Sequence, residues 1–363
     1  MKKVYTLILF FTVILFVSKA NATVWRVNGT SNFNGSSLFG DNLGGTPSYP
    51  VFQQINQAVG WASVKSGDTL HVEAAPAIYL LATITKKLVI IGPGYFLTEN
   101  PNTSNMVLDA RIGTIVFSTG SDGSQLIGMN VVNAGNTGNR IYMDVSNLVV
   151  KRCRIERSIE LGTAISNAVI IQNFFTSEGD PNAIITNGNV YYVYPNDVYF
   201  NNNICQKTLV WAGTILQCNN NVFDGPPNKL NIQMLTSSFQ NNILKSTNAT
   251  VNINNGANTN VSFNVGTSAT QFGTTSNNIV VANMTSVFVA SGTTDGQYQL
   301  QASSPASSNG SDGTDRGAYG GLAVTSRYTL SGLPNIPVIY NISTSGVATV
   351  SGLPVTIKAK TIK

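Results

Sequence analysis

The densest set of residues able to do ionic chemistry is Lys151, Arg152, Arg154 and Glu156, with Arg157 and Glu160 just beyond. Elimination on a uronate sugar needs a cation beside the sugar carboxylate and a base for the C5 proton. Arg152 and Arg154 are the candidate cations and Lys151 the candidate base. Alternate residues of a strand face one way, so Arg152, Arg154 and Glu156 are expected to share a face. The competing view is a set of surface ion pairs, each of small energetic worth. Lys151 also falls on the inward track of the repeat described below, which points to a distorted turn at this position.

A second set suits uncharged recognition. Tyr191, Tyr192 and Tyr194, with Tyr199 nearby, sit in and after the longest step between repeats, and Trp211 lies in the next one. Sugars stack on aromatic rings, and amide side chains satisfy their hydroxyls. Packing of these tyrosines beneath a loop is the alternative. No metal site is expected: Asp122, Asp180, Asp197 and Asp224 stand alone, and His71 is the single histidine. Calcium enters only under the elimination reading, and no other cofactor is implied. The three cysteines, Cys153, Cys205 and Cys218, permit one disulfide at most and read more simply as small core residues. Spacing leaves open whether Cys205 pairs with Cys218.

Composition narrows the function classes. Charged residues are 10% of the chain, and Asn, Ser, Thr and Gly supply the polarity. Lys2 and Lys3 precede an apolar run from Val4 to Val17, followed by Ala20-Asn21-Ala22, which reads as a secretory signal cleaved after Ala22. The run is too short to span a bilayer, which takes about 20 apolar residues. No transmembrane segment is expected after cleavage. The formal charge of +5 owes three bases to that leader, and the chain after it carries 18 bases against 16 acids. Nucleic-acid binding lacks the basic field it needs. A secreted or outer-surface location is expected.

The elements that would position these groups repeat along the chain. A short helical pattern, Phe52, Ile55, Val59 and Ala62, precedes the turn Ser66-Gly67-Asp68 and the strands Thr69–Val72 and Leu88–Ile91. A five-residue pattern then recurs, with Met129, Cys153, Asn173, Asn202, Asn220, Asn241 and Phe263 in its third slot, at steps of 24, 20, 29, 18, 21 and 22. Variable steps at a fixed local pattern mean turns of constant core with loops of variable length. Asn tolerates left-handed backbone, and stacked amides bond along an axis. Asn173, Asn202, Asn220 and Asn241 are therefore expected to form a structural ladder.

These residues resemble the pectate-lyase-like superfamily of right-handed parallel β-helices, in the form found in exported proteins of Bacteroidetes. The resemblance rests on the opening Ser66–Val72 with Lys86–Gly92, on the Asn-rich run 126–265, and on Ser304-Pro305-Ala306 with Asp315–Gly321. It implies an all-β fold, a right-handed parallel β-helix or β-solenoid. Its parts are a signal peptide (1–22), an N-terminal segment and cap helix (23–66), the helix proper (67–321) and a short C-terminal β tail (322–363). The tail is expected to cover the last turn of the stack. The fold hosts many activities, so the implied partner is only a polysaccharide or cell-surface glycan. Hydrolases of the superfamily carry clustered Asp and a Gly-His-Gly element, and this chain has neither. Two readings stand: a non-catalytic glycan-binding, adhesive or structural surface protein, and a polysaccharide lyase acting on uronate-containing glycans.

Overall fold

A computed structural model describes residues 22–30, 45–46, 48–103, 106–134, 140–162, 165–178, 183–186, 196–225, 231–236, 238–247, 250–253, 260–272, 277–289, 291–344, 346–348, 350 and 352–361. The leader lies outside them. The described chain is predominantly β, with one α-helix, Ile55–Gly60, which buries Ile55, Ala58 and Val59. No helix among the described residues is long and apolar enough to cross a membrane.

Three parallel sheets carry the architecture: one of 11 strands, one of nine and one of five, called the first, second and third sheets here. The chain visits them in rotation. Gln125–Ile127 lies in the first, Asn130–Val131 in the second, Ile141–Met143 in the third, and Val149–Lys151 returns to the first beside Gln125–Ile127. The core sits between the sheets. Leu126, Val150, Ile170 and Phe200 enter it from the first, Val131, Ile155, Phe175 and Phe223 from the second, and Phe117, Met143 and Leu161 from the third. Phe200, Phe223 and Phe239 follow one another at ring separations of 6.3 and 6.1 Å. Cys153, Cys205 and Cys218 are free, fully buried thiols in this core. Burial raises all three thiol pKa values, to about 12 for Cys153 and Cys205.

A single left-handed residue makes each corner that leads into the second sheet, from the first sheet or, at Asn241 and Phe263, from a two-stranded parallel sheet of Ser238–Gln240 and Asn260–Ser262. Arg152, Gln172, Asn202, Asn220, Asn241 and Phe263 have φ between 54 and 60°. Asn reaches this region more readily than other non-glycine residues, because its amide bonds to nearby backbone. The residue after the corner turns inward, and there the ladder forms. It runs through Asn173, Asn203, Asn221, Asn242, Asn264 and Asn278, each Nδ2 donating to the next Oδ1 at 3.0–3.2 Å. Each Oδ1 from Asn203 onward also accepts the backbone N–H of the preceding ladder residue at 2.9 Å. Asn202, Asn220 and Asn241 are thus not ladder members. They occupy the corner itself, one residue earlier, and point away from the core.

The second sheet explains where the C-terminal part goes. Its strands are mostly two residues long; the second residue enters the core and the first faces outward. That outer column is polar at Arg111, Asn130 and Arg154, then apolar at Phe174, Ile204, Val222, Ile243 and Val265, all fully or almost fully buried. Val287, Phe288, Tyr298, Ala306, Ala318 and Tyr328 cover it. The chain then runs back along the corner toward the opening turns, and the outward corner residues hold it. Asn241 Nδ2 donates to Ser311 Oγ (2.9 Å), and Asn202 Nδ2 to the carbonyls of Ala318 (3.0 Å) and Gly320 (2.8 Å). Gln172 Nε2 reaches the carbonyls of Thr325 (2.9 Å) and Arg327, and Arg152 Nη1 those of Leu333 (2.8 Å) and the Asn335 side chain (2.7 Å). Residues 304–335 form a return strap.

The strap delivers the antiparallel hairpin Pro337–Thr344 with Val355–Thr361 to the opening turns. Ile336–Ile339 share a cleft with His71 and Pro93, and Lys360 Nζ bonds Asn102 Oδ1 at 2.5 Å. The tail therefore does not cover the last turn, as the sequence suggests, because the strap carries it to the other end.

A buried acid ties the strap down. Asp295 has no exposed surface and accepts from Ser331 N–H (2.5 Å), Tyr328 hydroxyl (3.2 Å) and Thr293 hydroxyl (2.9 Å); Tyr95 and Tyr328 hydroxyls lie 2.6 Å apart. Burial raises the Asp295 pKa above its ordinary 3.8, and these bonds oppose that only in part. A raised carboxyl favours the protonated fold. Its stabilising contribution is full below the unfolded value of 3.8 and is lost as pH rises through the higher folded value. Asp295→Asn is expected to flatten this part of the pH dependence, read as melting temperatures across a series from about pH 4 to about pH 7.

Candidate functional site

The charged cluster does not converge. Lys151 ends a strand of the first sheet, and its Nζ lies 3.3 Å from the Thr325 carbonyl. Burial, then Arg152, lowers its pKa. Arg152 is only 3% exposed, with Nε on Gln172 Oε1 (2.9 Å) and Nη1 on the strap. Arg154 belongs to the second sheet, pairs with Glu156, contacts Asn130 Oδ1 at 3.1 Å and sits over the Phe96 ring at 5.6 Å. The expectation of one shared face fails because Arg152 has φ 56° and breaks strand alternation. Glu160 is elsewhere again, in the third sheet, paired with Arg140 at 3.0 Å.

Tyr191, Tyr192 and Tyr194 lie outside the described residues. Trp211 is in the strand Val210–Gln217 of the first sheet. No group of three or more His, Cys, Asp or Glu among the described residues is arranged to hold a metal ion.

What the fold does build is a groove of about 480 Å³ between the outer face of the first sheet and the strap. Three neighbouring strands make its floor. Val169 and Ile171 come from the first, Tyr199 and Asn201 from the second, Gln217 from the third and Asn219 from just past its end, with Val169 opposite Tyr199 and Tyr199 opposite Gln217. Asn202 and Asn220 mark the corner, and Asp312, Gly321, Leu322 and Ser326 form the strap wall. Period two explains the floor: Phe200 and Cys218 point inward and are fully buried, so their neighbours on both sides point out.

The groove is a hydrogen-bonding surface with a single carboxylate. Asn201 Nδ2 donates to Gln217 Oε1 (3.2 Å), and Asn201 Oδ1 accepts the Asn219 N–H (2.9 Å). Asp312 Oδ1 accepts from Thr314 N–H (3.0 Å) and hydroxyl (2.8 Å). Asn220 is buried and its Nδ2 has no hydrogen-bond partner among the described residues, whereas the equivalent Asn202 nitrogen has two. A carboxamide offers both a donor and an acceptor, as a sugar hydroxyl requires. Tyr199 adds a partly exposed ring. Of the groove residues, Tyr199 is visible in the sequence only as a neighbour of the other tyrosines. The signal for the rest is the pairing of polar residues around one apolar residue, as in Tyr199-Phe200-Asn201, Gln217-Cys218-Asn219 and Ser238-Phe239-Gln240.

No protein-family model, no curated protein and no solved structure matches the chain.

Proposed function

We propose that this chain is an exported right-handed parallel β-helix protein that binds neutral glycans on its outer face without cleaving them. The rotation of the chain through three parallel sheets, the inner amide ladder and the resemblance of the opening and closing segments support the fold reading. The groove carries the functional reading: its described lining presents the carboxamides of Asn201, Gln217 and Asn219 and the Tyr199 ring beside one carboxylate, Asp312. Amides and an aromatic face suit hydroxyl-rich, uncharged ligands. Asp312 disfavours a uronate there. The lyase reading has no such support, since Arg152 is engaged by the strap and Arg154 by Glu156.

Calorimetric titration of the purified protein with neutral oligosaccharides, beside uronate oligomers, tests the proposal. Neutral sugars are expected to bind, and Tyr199→Ala to weaken them about tenfold, the loss of roughly one aromatic contact. Uronate preference, with release of an unsaturated product, would reverse the reading.

A further inference from the structure

We infer that the outer face of the first sheet, continued by the separate two-stranded parallel sheet of Ser238–Gln240 and Asn260–Ser262, takes an unbranched glycan of equatorially linked sugars, laid along the stack with about one sugar per turn of chain. This rests on the neutral-glycan reading above. The polar residues of the groove floor belong to two columns that extend beyond it. The column next to the corner is Asn201, Asn219, Gln240 and Ser262; the one two residues earlier is Tyr199, Gln217, Ser238 and Asn260.

Hydrogen bonds hold both columns in line. Asn219 Oδ1 accepts Gln240 N–H (2.9 Å) and the Ser238 hydroxyl (3.0 Å), and Gln240 Nε2 donates to Ser262 Oγ (2.7 Å). Adjacent strands of a sheet lie about 4.8 Å apart, so an uncharged polar pair recurs at that interval along a nearly straight path. A periodic row of donors and acceptors recognises a ligand with the same period. A β-(1→4)-linked chain with equatorial bonds is a flat ribbon whose rings follow one another at nearly this spacing. An α-(1→4)-linked chain winds away, and only one or two of its sugars would keep contact. The strap wall at Leu322 and Ser326 flanks the three strands of the groove, while Ser238, Gln240 and Asn260 continue the track past it, with the buried Ser262 bonded beneath Gln240 and Asn260. A short ligand fills the groove; a long one reaches Gln240.

The test titrates soluble β-(1→4)-linked glucose or mannose oligomers, from dimer to hexamer, against α-(1→4)-linked glucose oligomers of the same lengths. Affinity is expected to rise with length in the β series and to level off early in the α series. Gln240→Ala, and separately the exposed Asn260→Ala, are expected to weaken the β hexamer about fivefold and leave the dimer unchanged, about one hydrogen bond each. Unaltered melting temperatures establish that both variants fold. Length-independent binding, or equal affinity for both linkages with Tyr199 still required, overturns the inference and spares the neutral-glycan reading. Failure of every neutral oligomer to bind overturns both.

Discussion

Replacing Asn221 by Ala is expected to lower the unfolding free energy by about 4 kcal/mol, whereas Asn220→Gly changes it by less than about 1 kcal/mol. The two residues are adjacent and chemically identical; their surroundings are not. Asn221 is fully buried, and its amide is used on both sides. Oδ1 accepts the backbone N–H (2.9 Å) and Nδ2 (3.2 Å) of Asn203, while Nδ2 donates to the Phe200 carbonyl (2.8 Å) and Asn242 Oδ1 (3.0 Å). Alanine leaves a backbone donor and a backbone acceptor unpaired in an apolar interior, each costing about 1–3 kcal/mol, and breaks the ladder between two turns. Asn220 instead has φ 56° and an Nδ2 with no hydrogen-bond partner among the described residues. Glycine adopts that conformation without strain, so only unfolded-state entropy opposes the change. Chemical denaturation of both variants reads the difference. Equal losses would mean that the inward position does not carry the ladder.

The same pair explains how far the sequence could be read. The repeat is legible because core positions recur while loop lengths vary. Its exact register is ambiguous wherever Asn fills several adjacent slots. In Ile171-Gln172-Asn173 only one Asn is available, and it is the ladder residue. In Asn201-Asn202-Asn203, one Asn faces the groove, one turns the corner and one enters the core, and the letters do not distinguish them. Position relative to the second sheet does: the ladder residue immediately precedes Phe174, Ile204, Val222, Ile243 or Val265. The charged cluster misleads for a related reason. Strand alternation does not carry across Arg152, where the backbone turns. The strap is hardest to foresee, since its corner partners from Asn241 back to Arg152 lie 70 to 183 residues earlier and its small and polar residues carry no periodicity. Its contacts with Arg152, Gln172 and Asn202 exist only once the turns are stacked.

Gly332→Ala is expected to detach the end of that strap, at a cost of about 3 kcal/mol. Gly332 has φ 56°, and a Cβ there would stand 2.4 Å from both the Arg152 carbonyl oxygen and Tyr95 Cε1. Neither neighbour has room to withdraw: Tyr95 is fully buried, and Arg152 makes a corner of the stack. The strap must therefore lift, which strains the Arg152 bond to the Leu333 carbonyl, the bond from Tyr95 N–H to the Ser331 carbonyl (2.8 Å) and the Asp295 anchor on Ser331. Gly313→Ala is the control. Its φ is 76° but nothing lies within 4 Å of the added carbon, so only the backbone term of about 1–2 kcal/mol remains. Hydrogen exchange separates two consequences. If the strap opens as a local unit, amides from Tyr328 to Leu333 exchange faster in Gly332→Ala while those of the inner strands stay protected. If protection falls equally throughout, the strap and the stack unfold together, and the apolar column from Phe174 to Val265 requires its cover to remain folded. Unchanged exchange in both regions would refute the close contact at Gly332 itself.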